Sequence, residues 1–189
     1  KVFRGLADQG PSSDRITALL EDHHAQLWIG AEDGGVSVLA NGRFERLSVC
    51  AGRCRVFQLL QPKGAVVATT DEGTFAIDPV THHARLVADR RLGFGAVASG
   101  EAYVADLDQL WRIEASGLQP VPLPATLGKI GLLQAVGGEL WVAGNDMIYR
   151  RAHGEWIPVA AEHPWPVVSL LVKDATGQVW VSDTHGRTF

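Results

Sequence analysis

"ITALLEDHHAQLWIG" occupies Ile16–Gly30, and "VSLLVKDATGQVWVS" occupies Val168–Ser182. Each is an apolar run, an acid, a short turn and a Trp-centred apolar run. Asp22 corresponds to Asp174 and Trp28 to Trp180, both at an offset of 152 residues. Weaker copies lie between them: "GAVVATTDEGTFAID" (Gly64–Asp78), "GEAYVADLDQLWRIE" (Gly100–Glu114) and "GGELWVAGNDMIYRR" (Gly137–Arg151). Their central positions are Val67, Tyr103 and Trp141, so the spacings are 39, 36, 38 and 39 residues. The offset is therefore four periods of about 38 residues, and a period of that size marks a repeat architecture.

Within the first repeat, "ITALLED" is a short apolar strand and "HHA" a turn. "QLWIGAE" is a second strand, "DGG" a turn and "VSVLA" a third strand. "NG" is a hairpin signal, and "RFERLSV" alternates as a wetter fourth strand. The fourth repeat reads the same way: "IGLLQAV", "GG", "ELWVAG", "ND", "MIYRRA", "HG", "EWIPVA". No stretch carries a 3.6-residue apolar period of helical length. Four short strands per period of nearly 40 residues predict an all-β chain, a β-propeller of four-stranded antiparallel blades with about five repeats. The expected blades are residues 14–50, 55–88, 94–124, 129–160 and 167–189, in a single propeller over 1–189.

Composition fits that reading. The chain has 189 residues, 46% hydrophobic and 20% charged, enough for a sizeable core. Its 21 Gly and nine Pro suit many turns. The net charge of −4 and the lack of a basic block argue against nucleic acid as a partner. No apolar run approaches the ~18 residues of a membrane helix, so this segment is expected to make no membrane contact. At one repeat position, Trp28, Val67, Tyr103, Trp141 and Trp180 are expected to pack between blades, where a large flat side chain fills the wedge between neighbouring sheets.

The first and last repeats carry a resemblance. "ITALLEDHHAQLWIGAEDGGVSVLANGRFERL" resembles the two-component regulator propeller repeat: an apolar strand, Glu-Asp, a turn, Leu-Trp-Ile-Gly, a Gly turn, a strand and Gly-x-Phe. "VVSLLVKDATGQVWVSDTHGRTF" is similar and keeps an Asp-x-x-Gly turn whose Gly is replaced by Ala25 in the first copy. The middle copies are degenerate. The resemblance implies a non-catalytic sensor region, periplasmic or otherwise extracytoplasmic, of a bacterial hybrid histidine kinase or related regulator, whose output domain would be a kinase or cyclase.

Two readings of ring size follow. "KVFRGL" at the start resembles the fourth-strand pattern, so residues 1–6 could supply the missing outer strand of the last blade and close five blades. The chain lacks an initial Met, and its last copy stops early in the third strand. The favoured expectation is a fragment of a larger propeller, whose open blade edges would associate with a second copy.

The turns between second and third strands carry Asp33, Asp71, Asp106, Asp146 and Asp183. They would lie at one end of a propeller, sharing it with the inter-blade loops that bear Arg53, Arg90 and Trp165. A mixed rim of acids, cations and one aromatic suits a small-molecule or glycan ligand, although Asp is also the ordinary residue of such turns. The doublets His23-His24 and His82-His83 are assigned to turns on opposite ends of their blades, so no shared metal and no cofactor are expected. Cys50 and Cys54, in "VCAGRCR", are spaced for a small disulfide loop or for two thiols at a strand start. Neither Gly-x-Ser-x-Gly nor Ser-x-x-Lys occurs, so the chain itself is not expected to be an enzyme. The alternatives are a propeller lyase, which needs acids or His converging on one rim, and a scaffold that binds a protein partner.

Overall fold

The computed structural model describes residues 10–159, 165 and 167–189. The outer strand expected at 1–6 lies outside them. The described residues form eighteen strands and no helix. β1 (Ile16–Glu21), β2 (Leu27–Ala31), β3 (Val36–Ala40) and β4 (Arg43–Leu47) pair in sequence order as the first antiparallel sheet. β5 (Val56–Leu60), β6 (Val66–Thr70), β7 (Gly73–Ile77) and β8 (Ala84–Ala88) form the second. β9 (Phe94–Ala98), β10 (Glu101–Ala105), β11 (Leu110–Glu114) and β12 (Gly117–Val121) form the third. β13 (Leu132–Val136), β14 (Glu139–Gly144), β15 (Met147–Ala152) and β16 (Glu155–Pro158) form the fourth. β17 (Val168–Lys173) and β18 (Val179–Asp183) make a two-stranded fifth sheet, extended by a Ser182–Thr188 bridge. These are the four-stranded meanders of a β-propeller. The chain divides into two compact units, Lys1–Gly93 with Ile113–Leu118, and Phe94–Arg112 with Gln119–Phe189.

The hairpins close as their sequences require. Asn41-Gly42, Ser99-Gly100, Gly137-Gly138, Asn145-Asp146 and His153-Gly154 have positive φ at both central residues. That is the type I′ turn, whose twist matches the strands it joins.

In the first unit the core gathers Trp28, Val36 and Val38 of the first sheet with Val56, Leu59, Val66, Ala68, Phe75 and Ile77 of the second. Trp28 is fully buried. Removing about 200 Å² of indole from water is worth on the order of 5 kcal/mol, an upper figure because the unfolded chain already hides part of it. Two residues on, Gly30 lies on the same face. A Cβ there would stand 2.6 Å from Val56 Cγ1, so only Gly admits the neighbouring inner strand. The second unit holds two cores. One joins Tyr103 to Leu133, Leu140, Val142 and Tyr149 across the third and fourth sheets. The other joins Trp141 to Val168, Leu171 and Val181 across the fourth and fifth.

The period reappears as polar locks between adjacent sheets. Thr17 Oγ1 donates to the Val56 carbonyl (2.7 Å, 39 residues apart), and Ser99 Oγ to that of Gly138 (3.1 Å, 39 apart). Gln134 donates from Nε2 to the Leu171 carbonyl (2.5 Å) and accepts the Leu171 N–H at Oε1 (3.1 Å), 37 residues apart. His82 Nδ1 lies 2.8 Å from Glu45 Oε2, also 37 apart, and the ring stands edge-on to Trp28 at 5.5 Å.

Two expectations need correction. Trp180 does not pack between blades: it is 41% exposed. β18 is the last strand of its unit, so no following sheet of that unit covers the ring. The His doublets do not lie at opposite ends either. A meander puts its first and third hairpins at one end, and His82 Nε2 reaches Gln26 Oε1 beside His23-His24 (3.0 Å).

Candidate functional site

The acids of the second-to-third-strand turns are mostly committed to holding backbone. Asp183 is buried at the end of β18. Its Oδ1 accepts the N–H of His185 and of Arg187, and its Oδ2 accepts Arg187 Nε at 2.6 Å. Burial pushes its carboxyl up, but the main-chain and guanidinium donors of Arg187, with His185, outweigh that and hold it low. Asp106 Oδ1 accepts the N–H of Asp108 and Gln109. Asp71 Oδ1 accepts the Arg55 N–H at 2.8 Å, and Glu72 Oε2 that of Ala51 at 3.1 Å. These two acids pin the loop closed by the Cys50–Cys54 disulfide, whose Cα atoms stand 6.2 Å apart. Asp33, Arg53 and Arg90 are exposed. Arg55 and Arg91 stand 5.7 and 4.8 Å over the Phe57 ring, so the cations of this loop region pack on an aromatic.

Asp146 differs. Its carbonyl accepts the Trp165 N–H (3.0 Å), and the residue lines a cleft of about 490 Å³ with Lys129, Asn145, Met147 and Val167. The floor is backbone: a Cβ on Gly144 would stand 2.0 Å from the Lys129 carbonyl, and one on Gly128 would collide with the Asn145 amide. Trp165 is half-buried beside the Trp141 core. Its Nε1 donates to the Val159 carbonyl (3.1 Å), and its ring meets Phe189 edge-on at 6.4 Å. Packing therefore accounts for most of its surface. Of the rim residues expected from sequence, the structure brings Asp146 and Trp165 together in the second unit.

A second cleft, of about 480 Å³, opens at the other end of the same unit's sheets, where the hairpins at Ser99-Gly100, Gly137-Gly138 and His153-Gly154 meet. Its polar wall is Glu101, Tyr103, Arg112 and Arg151. Glu101 accepts the Tyr103 hydroxyl at 2.8 Å and Arg112 Nη1 at 3.1 Å. Burial and the bond to Glu101 push the Tyr103 phenol up, against the opposing pull of Arg151 and Arg112. This cleft was not anticipated from the sequence. One signal was present: Tyr103 replaces the repeat Trp, a buried phenol needs a partner, and Glu101 is the same-face residue two positions earlier. Among the described residues, no group of three or more His, Cys, Asp or Glu side chains is arranged to hold a metal ion.

No family model matches the chain, and no curated protein matches it. Solved structures do share its fold. Virginiamycin B lyase from Staphylococcus aureus superposes with a TM-score of 0.71 at 14% identity, over 93% of this chain and 69% of that one. The extracellular domain of BT3049 from B. thetaiotaomicron, assigned as a hybrid two component system, gives 0.69 at 16% identity, over 94% of this chain and 27% of that one. YCF48 bound to D1 peptide gives 0.68 at 13% identity, over 99% and 70%. The chain is thus of β-propeller fold, similar to both sensor-domain and lyase propellers.

Proposed function

We propose that this chain is a non-catalytic recognition module, an extracytoplasmic ligand-binding propeller segment of a bacterial two-component or related regulator. The observation that carries the reading is the cleft at Asp146. It places a cation (Lys129), an amide (Asn145) and a carboxylate (Asp146) around an apolar strip of Met147 and Val167, over a backbone floor. Few convergent polar groups over an apolar lining is the usual make-up of a small-molecule site. The likeness to the BT3049 extracellular domain agrees with it, as does the disulfide, which persists in oxidising compartments. The ligand class proposed is a small neutral polar molecule or sugar.

The test is a thermal-shift screen of neutral mono- and disaccharides, with Asp146→Asn and Lys129→Gln as controls. A saturable rise in Tm that both variants weaken at least tenfold supports the reading. A hit unaffected by either variant removes this cleft from it. The likeness to virginiamycin B lyase favours a second reading, a lyase. One lyase structure was solved with quinupristin, so that compound is the probe. Incubation should leave its elution unchanged, and a new product peak would establish catalysis.

A further inference from the structure

We propose that the cleft between the third and fourth sheets binds a small organic carboxylate on Arg151, independently of any ligand at Asp146. Glu101 is already matched by Tyr103 and Arg112, and Glu139 accepts Arg150 Nη1 at 2.9 Å. Arg151 is left as the cation in excess. Its only hydrogen bond among the described residues runs from Nη1 to the Tyr103 hydroxyl at 3.4 Å, longer than an ordinary bond. Its Nε is buried without a partner. Leaving a buried donor unmet is costly, more so on a charged group. The guanidinium stands 5.9 Å over the Trp156 ring, which in turn is tied to the Pro122 carbonyl at 2.7 Å. Arg151 is therefore held in place on the wall of a cavity of about 480 Å³, its Nε sealed off and its terminal Nη groups engaged only by the long bond to Tyr103.

The charge balance gives the ligand's sign. Glu101 and Glu139 on the wall are held by Arg112 and Arg150, while Arg151 makes no ion pair among the described residues, so the unmatched charge facing the cleft is positive. The guanidinium fork gives the shape, since its parallel N–H groups match the two oxygens of a carboxylate. Ala98, Leu140 and Ala152 line the rest of the cleft and accommodate a short apolar tail.

The experiment is a titration of ¹⁵N-labelled protein with propionate, following arginine Nε–H resonances, against propionamide and against chloride at matched ionic strength. The Arg151 signal is the one lost in Arg151→Lys. Propionate should shift it saturably with Kd about 1 mM, the range open to a ligand of five heavy atoms, and propionamide should not. Arg151→Lys keeps the charge and loses the fork, so propionate-induced backbone shifts at Ser99, Gly138 and Gly154 should need at least tenfold more ligand. Arg150→Lys, which keeps a cation beside Glu139, should bind as the parent does. Equal shifts from propionamide or chloride, no saturation, or unchanged affinity in Arg151→Lys would overturn the proposal. A failed saccharide screen at Asp146 leaves this outcome unaffected.

Discussion

Trp28 donates its indole N–H to Asp22 Oδ2 at 2.8 Å across the β1–β2 hairpin. Asp22 Oδ1 meanwhile accepts the N–H of His24 and of Gln26, so one carboxylate closes the turn and anchors the ring. The last repeat does the same: Asp174 Oδ2 accepts Trp180 at 2.9 Å, and Oδ1 accepts Thr176 and Gln178. The fourth repeat replaces the acid with a tight Gly137-Gly138 hairpin. There Trp141 is buried, and its Nε1 has no partner among the described residues. The Trp position thus has two roles, packing and pinning the acidic turn, and the chain uses them in different combinations.

Trp-to-Phe substitutions should separate those roles. Trp28→Phe removes a charge-assisted hydrogen bond and strands a buried carboxylate oxygen, so it should cost about 2–4 kcal/mol. Trp141→Phe gives up ring area but also removes an unmet donor, so its cost should be below about 1.5 kcal/mol. Urea denaturation of the two variants measures both. Equal costs would mean that packing alone sets the choice of Trp.

The turn of the first repeat is strained where the last is not. Ala25 sits at φ 55, in the left-handed region, at the position filled by Gly177 (φ 93) in the last copy. That conformation costs an L-residue about 1–2 kcal/mol, of which Gly's greater freedom in the unfolded chain takes back part. Ala25→Gly should stabilise by about 0.5–1 kcal/mol, and Gly177→Ala should destabilise by a similar amount. At Gly177 the new Cβ meets only Lys173 Cε, at 3.8 Å, so the effect is conformational. Denaturation midpoints of the two variants should move in opposite directions. Movement in the same direction would refute the argument.

The fold was legible because a blade repeats its core demand. Trp28, Val67, Tyr103 and Trp141 recur at the period, and all four are buried. The residue two places after each, and after Trp180, is small: Gly30, Thr69, Ala105, Ala143 and Ser182. The sites were less legible, for two reasons. An Asp in a turn reads alike whether it faces a ligand or its own backbone, and Asp71, Asp106 and Asp183 proved to do the latter. The Arg151 cleft depends on a missing partner, and a sequence does not display missing partners. Trp180 failed for a third reason. Its local motif is intact, but no sheet of its own unit follows β18 to cover the ring.

The disulfide should matter more than its short span suggests. Cys54 is buried, and its carbonyl accepts the Gly35 N–H at 3.0 Å, so the loop is fastened to the first sheet as well as to Asp71 and Glu72. Closing so short a loop constrains the unfolded chain by about 2 kcal/mol. With those anchors also loosened, the Cys50→Ser/Cys54→Ser variant should lose more than that, and adding reductant to the parent should reproduce the loss. A parent whose midpoint is insensitive to reductant would show the two cysteines unpaired in solution.

Acid should unfold the last repeat through Asp174. Bonds from the Thr176 hydroxyl and the Trp180 indole, joined by main-chain donors, bring its carboxyl down to about 2. The unfolded chain holds such a group near 3.9. A carboxyl depressed on folding stabilises above its unfolded value, and the contribution disappears as pH falls from about 4 to about 2. Asp174→Asn cannot titrate. It should be less stable than the parent at pH 7, and the gap should close as the pH approaches 2. The reporter is Trp180, whose exposed indole fluorescence follows this hairpin, measured in urea at pH 7 and at pH 2.5. A gap that persists undiminished at pH 2.5 would mean that the carboxylate's charge contributes nothing and that the Asn variant fails for steric reasons.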